Sequence, residues 1–197
     1  MKKIKSGRNL FLLWTFFLAI LWNIFLISCN SNISPLPVTY GKTIEGKPLI
    51  IGKINRQNLL TYEHSKWFEI EYNKYKIPKG WIEKNQSELS KMNLKLFLGT
   101  WCEDSEREVP GMLKLLDFSG FDFSKIEMYA VSEDKHTIQN HEKGLNITNV
   151  PTLIFYKNGK EINRFVEFPN ISLAKDLETI IQGNSYKNPY YEIEINE

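Results

Sequence analysis

Sulfur is scarce in this chain, with two cysteines, Cys29 and Cys102, among 197 residues. That excludes a disulfide-dense scaffold and any four-cysteine metal site. Histidine is nearly as scarce. His64, His136 and His141 show no metal-ligand spacing, so no metal is expected, and His136 and His141 read as solvated surface side chains in a polar stretch. There is no large excess of charge either, 25 Lys+Arg standing against 23 Asp+Glu. The balance is uneven along the chain. Lys2, Lys3, Lys5 and Arg8 precede the first acid, Glu45, and residues 29–197 keep 21 basic and 23 acidic side chains, a net charge of −2. A near-neutral body lacks the electrostatic footprint of a phosphate-backbone binder, so no nucleic-acid partner is expected. No internal repeat is visible. What the chain has in quantity is apolar residues, 42% with 13% aromatic, enough for one packed domain and too many for wholesale disorder.

Residues 1–9 are polar and basic, and residues 10–28 form an apolar run of nineteen interrupted only by Thr15, Asn23 and Ser28. A basic start before such a run has the form of a secretory leader, with an uncleaved anchor helix as the alternative. Leu26-Ile27-Ser28-Cys29 resembles the lipobox of bacterial lipoproteins, in which the cysteine is acylated and becomes the first residue of the mature chain. The expectation is a lipoprotein signal peptide over 1–28, lipid on Cys29, and a globular domain held outside the cytoplasmic membrane in the cell envelope. Cys102 is then the only thiol of the mature protein.

Residues 29–48, rich in Asn, Ser, Pro, Gly and Thr, read as a tether. Beyond it the periodicity predicts a short strand from Leu49, a helix over 60–75 and a second over 81–92. A strand follows over 94–98, then a helix over 105–116 opened by a Ser105-Glu106-Arg107-Glu108 capping box, and a strand over 126–131. Lys157-Asn158-Gly159-Lys160 between two apolar runs signals a β-hairpin, followed by an amphipathic helix over 171–181. The tail over 186–197 alternates at Tyr191, Ile193 and Ile195 and suggests an edge strand. The order implies an α/β domain over 49–185, a central mixed sheet flanked by helices.

The chemistry is expected at Thr100-Trp101-Cys102-Glu103-Asp104-Ser105. A cysteine where a strand hands over to a helix lies near unpaired N–H groups and the positive end of the helix dipole, which favour the charged sulfur, the nucleophilic form. Glu103, Asp104, Glu106 and Glu108 oppose it, with Arg107 alone against them. One unit charge at about 4 Å costs on the order of 1 kcal/mol in water, comparable to the helix effect, so the balance has no sign from sequence. Ser105 offers either a helix cap or a hydroxyl donor to the sulfur.

These residues resemble the thioredoxin family over most of 90–182. Leu94 to Leu98 matches its central strand, Trp101-Cys102 the start of its W-C-x-x-C motif, and Pro110 the proline that kinks its active-site helix. Val150-Pro151-Thr152-Leu153-Ile154-Phe155-Tyr156 with the hairpin beyond matches its cis-proline strand. The resemblance implies a thioredoxin-like fold, a cis peptide at Pro151 facing Cys102, and a substrate edge shaped by Trp101, Val150 and Pro151. The chain departs from the family in three places: Ser105 replaces the second cysteine, Glu103-Asp104 the usual uncharged pair, and Leu96 a buried acid.

Without a second thiol, attack by Cys102 on a disulfide stops at the mixed disulfide, and another thiol must release it. One reading is therefore a monothiol oxidoreductase, with Cys102 and Ser105 as catalytic residues. Its partners are an extracytoplasmic thiol or disulfide protein and an external thiol reductant, and it needs no cofactor. The other is a binding or assembly module that keeps the fold and does no turnover.

Overall fold

The computed structural model describes residues 34–61 and 65–194. The expected leader, the expected lipidation site Cys29, His64 and the last three residues lie outside the described residues.

A six-stranded mixed sheet organises the domain: β1 (Thr39–Lys42), β2 (Pro48–Ile54), β3 (Asn93–Leu98), β4 (Ile126–Ala130), β5 (Thr152–Lys157) and β6 (Lys160–Val166), in the spatial order β1-β2-β4-β3-β5-β6. Only β3 and β4 run parallel, with Leu96 opposite Met128 and Leu98 opposite Ala130. The other four pairings are antiparallel. The helices are α1 (Arg56–Thr61), α2 (Ser65–Lys74), α3 (Trp81–Leu89), α4 (Glu103–Phe118), α5 (Leu173–Ile181) and α6 (Tyr191–Glu194).

Strand β3 shows how the sequence builds two cores. Leu94, Leu96 and Leu98 point to one face, where they pack with Phe68, Trp81, Val109, Met112, Leu113 and Leu177 from the helices. Phe97 points to the other, into a smaller cluster with Tyr129, Val131, Val150 and Ile154, which Trp101, Cys102, Leu145 and Ile147 partly cover. Period-two alternation sends successive side chains to opposite faces, and here both faces are apolar, so β3 reads as nearly continuous hydrophobicity. Each such fully buried Leu or Phe contributes about 1.5–3 kcal/mol of transfer free energy.

The segment expected as a tether is structured from Ser34 onward. The Asn58 side chain donates to Leu36 O at 2.8 Å and accepts from Leu36 N–H at 3.0 Å, and Asn55 Nδ2 donates to Ser34 O at 2.8 Å. Thr39–Lys42 then pairs with β2, Tyr40 opposite Ile50. The Gly, Thr and Pro content that suggested a linker belongs to a hairpin turn. Thr43 N–H donates to Lys47 O at 2.8 Å, Lys47 N–H to Thr43 Oγ1 at 2.9 Å, and Gly46 takes φ 86. The expected helix over 60–75 is two helices, α1 and α2.

The Asn-Gly hairpin forms as expected, with Asn158 at φ 53 and Gly159 at φ 77, the backbone that a two-residue turn between twisted strands requires. Among the described residues, through Glu194, the tail does not form the expected edge strand. Asn188 takes the next N–H groups for itself, Tyr190 N–H on its Oδ1 at 2.8 Å and Tyr191 N–H on its carbonyl at 3.1 Å. That closes a turn and starts the short helix α6.

Candidate functional site

Cys102 is the N-cap of α4, with extended φ −93 and ψ 121, and its carbonyl accepts from Glu106 N–H at 3.0 Å. The turn that delivers it is tight. Cys102 N–H donates back to Gly99 O at 3.1 Å. A Cβ on Gly99 would lie 2.7 and 2.9 Å from Trp101 ring atoms and 3.1 Å from Cys102 Cβ, so only glycine fits there. Thr100 is buried, and its Oγ1 accepts from Ile50 N–H at 3.2 Å, tying the turn to β2.

Ser105 is not the cap. It lies inside the first turn of α4 with 0% exposure, and its Oγ accepts from Gly99 N–H at 3.1 Å. The cap position falls three residues earlier because Cys102 already has the extended backbone that a cap needs. The Ser105 side chain therefore braces the turn that carries the cysteine. Glu103, Asp104 and Glu106 occupy the first helical turn, where the dipole favours acids. Pro110 sits within α4, which continues through it to Phe118, and the neighbouring Gly111 allows Tyr75 and Leu173 to close on the helix.

Cys102 is in no disulfide, and the residue is half-buried. Its Sγ donates to the carbonyl oxygen of Val150 at 3.2 Å, and the Val150–Pro151 peptide is cis. Trp101 packs with Cys102 against the smaller apolar cluster. Its Nε1–H donates to Val131 O at 3.0 Å, and the Lys135 ammonium stands 5.9 Å from the centre of its ring. Cys102, Trp101, Val150 and Pro151 are thus brought together. Val150 and Pro151 are themselves buried, so what they present is backbone.

The charge around the site differs from the sequence expectation. Arg107 is bound to Asp104 and, at 2.8 Å, to Glu108 Oε1, which neutralises much of the acidity of the first turns. Burial pushes Glu108 above the usual carboxylate range against the pull of Arg107, with Asp104 and Asp176 adding to the rise. Burial also raises Glu106, with Glu103 adding to the rise and Lys47, from the β1–β2 turn, opposing it. Lys47 and Lys135 are two cations that linear spacing could not place here. Leu96, where the family often buries an acid, is fully enclosed by apolar neighbours.

The histidines separate. His136 is exposed, with Nδ1 at 3.1 Å from Glu142 Oε1, whereas His141 stacks on Tyr129 with ring centres 4.5 Å apart. No cluster of three or more His, Cys, Asp or Glu side chains able to hold a metal occurs among the described residues.

No family model matches the chain. Among curated proteins it is 26% identical over 81 residues to thioredoxin-like protein R548 of Acanthamoeba polyphaga mimivirus. That match covers 41% of this chain and 56% of that protein, so the chain spans little more than half of the relative's length. Among solved structures, thioredoxin from Fasciola hepatica is 20% identical, covering 52% of this chain and 89% of its own at a TM-score of 0.35. Oxidised thioredoxin O2 from Arabidopsis thaliana is 23% identical, covering 58% and 86% at a TM-score of 0.35. A protein of unknown function from Pseudomonas aeruginosa is 17% identical, covering 66% and 78% at a TM-score of 0.43. The fold is a mixed six-stranded sheet with helices, and thioredoxins are among the solved structures it is similar to. The likeness concerns the fold, and the chemistry of the single-thiol site has to be argued from this chain's own residues.

Proposed function

We propose that this protein is a thiol–disulfide oxidoreductase with one working cysteine, held at the membrane by lipid on Cys29 and acting on extracytoplasmic proteins. The observation that carries the reading is the placement of Cys102 Sγ, half-buried at the N-cap of α4 and 3.2 Å from Val150 O.

Loss of the Cys102 proton gives a thiolate, which attacks one sulfur of a substrate disulfide. The bond between the two substrate sulfurs breaks, a Cys102–substrate disulfide forms, and the departing sulfur leaves as a thiolate that takes up a proton. An external thiol, as its thiolate, then attacks the mixed disulfide. It bonds to the substrate sulfur and expels Cys102 as thiolate. A second external thiolate then attacks the reductant's sulfur in that new disulfide and releases the substrate thiolate, so the two electrons come from two external thiols, which end joined as a disulfide. Ser105 supports this by bracing the turn through Gly99, and the Trp101 indole is fixed beside the cysteine by its bond to Val131 O.

The test is trapping in cells. Protein from cells quenched with acid and blocked with N-ethylmaleimide should carry mixed disulfides that a Cys102→Ala variant lacks. Identical non-reducing gel patterns would remove the enzyme reading. They would favour the second one, a redox-inactive docking module of the envelope, for which the acids of the first turn of α4 and the absence of a second thiol among the described residues speak. The tether has its own test: Cys29→Ala should lose both acyl mass and processing, and an unchanged mature mass would sink it.

A further inference from the structure

The C-terminal segment is fastened over the loop that follows β6. Asn163 Nδ2 donates to Tyr186 O at 3.0 Å, Asn170 Nδ2 to Lys187 O at 2.8 Å, and the Tyr186 hydroxyl to Asp176 Oδ2 at 3.2 Å. The segment ends on Tyr190, whose ring meets Phe168 edge to face at 6.2 Å and whose hydroxyl donates to Glu167 Oε2. Glu167 is unusual. It holds φ 62, a left-handed backbone that a residue with a long side chain seldom adopts, and its N–H donates to Pro151 O at 2.7 Å. The residue before Pro151 is Val150, whose carbonyl receives the Cys102 thiol. Tyr190, Glu167 and the Val150–Pro151 pair, three places far apart in sequence, therefore form one line of contacts ending at the sulfur.

We propose that Glu167 and Tyr190 are positioning residues for Cys102: Tyr190 holds the Glu167 side chain, Glu167 N–H holds the Pro151 carbonyl, and the loop so fixed keeps Val150 O on the thiol. A carbonyl oxygen aimed at sulfur accepts from S–H and repels the thiolate, so it stabilises the neutral form. Resting on the reading of Cys102 as a working thiol, this gives the contact a purpose. A single thiol with no internal rescuer is kept from forming dead-end mixed disulfides until the loop moves. The charged groups around the sulfur, Glu103, Asp104 and Glu106 on α4, Lys47 on the β1–β2 turn and Lys135 beside Trp101, stay the same in the variants below.

The experiment measures alkylation of Cys102 by iodoacetamide in the full chain, at about pH 7 and at about pH 10, on either side of the free-cysteine value of about 8.5. Tyr190→Phe should react about threefold to fivefold faster at the lower pH and equally at the higher, the loss of one weak hydrogen bond to the neutral form. Glu167→Gly should do the same, since it removes the other half of the contact and glycine accepts the backbone. Glu167→Gln, which keeps an acceptor for Tyr190, should stay within about twofold of the parent. Unchanged rates in both Tyr190→Phe and Glu167→Gly, or a fall in melting temperature with no change in the ratio of the two rates, would overturn the proposal. Alkylation needs no substrate, so this outcome is separate from that of the trapping test.

Discussion

Cys102 and Val150 stand 48 residues apart in the sequence, yet the thiol of one donates to the carbonyl of the other at 3.2 Å. β3 and β5 lie side by side, with Leu96 opposite Leu153 and Phe97 opposite Thr152. The loops that continue from those strands therefore meet above the sheet, and one carries Cys102 and the other Pro151. The site is a product of this pairing, and its chemistry depends on how firmly each loop is held.

Ser105 occupies the place of a second cysteine and is enclosed beside the Cys102 turn. A Ser105→Cys variant should form an intramolecular disulfide between Cys102 and the introduced thiol on mild oxidation, read as a loss of about two mass units and of free thiol. Its trapped mixed disulfides should fall, because the new thiol resolves them internally. A variant that keeps two titratable thiols after oxidation would show that the geometry of this turn differs from a two-thiol site.

Gly99 is the position least tolerant of a side chain. Gly99→Ala sets a methyl 2.7 Å from the Trp101 ring, which is held by its bond to Val131 O. The expected cost is about 1–3 kcal/mol, with the indole displaced. Thermal unfolding and tryptophan fluorescence check this, and an unchanged melting temperature would contradict it.

Glu108 gives a pH dependence with a definite sign. Burial raises it above its ordinary value of 4.5 despite Arg107. A raised carboxyl contributes stability that is complete below about 4.5 and is lost as pH rises through its value in the folded protein. Glu108→Gln does not titrate, so its stability relative to the parent should increase between about pH 4 and about pH 7. Urea unfolding at both values measures this, and a difference that shrinks would reverse the sign.

Glu142 behaves in the opposite way. Burial works against its ionisation, but hydrogen bonds from Thr137 and His136 bring it down to about 2. Thr137 donates through its hydroxyl at 2.7 Å and its N–H at 3.0 Å. A lowered carboxyl stabilises above about 4.5, and that contribution is lost as pH falls through about 2. Thr137→Val should cost about 1–3 kcal/mol at neutral pH, and the gap should close in acid. Acid-unfolding curves that stay parallel down to about pH 2 would refute it.

Much of this was legible in the chain because it is written locally. Alternation over 94–98, the Asn-Gly turn and the Val150-Pro151-Thr152 run each depend on neighbours in sequence, and each appears in the structure where the pattern puts it. Errors arose where local chemistry was ambiguous. Ser105 has the form of a cap, yet Cys102, already extended, takes the position. Residues 39–47 have linker composition, yet Asn58 and the β1–β2 pairing fix them. The alternation of Tyr191, Ile193 and Ile195 suggests a strand, but Asn188 captures the backbone first.

The sequence by itself determined the strand and helix periods, the balance of charge, and the single cysteine beyond residue 29, since these are properties of residue type and spacing. Only the tertiary structure decided that Lys47 and Lys135 approach the site, and that Tyr190 and Glu167 stand behind Pro151. Those relations join elements separated by tens of residues, and the distance between such residues is set by sheet order and by loop closure, which no local pattern encodes.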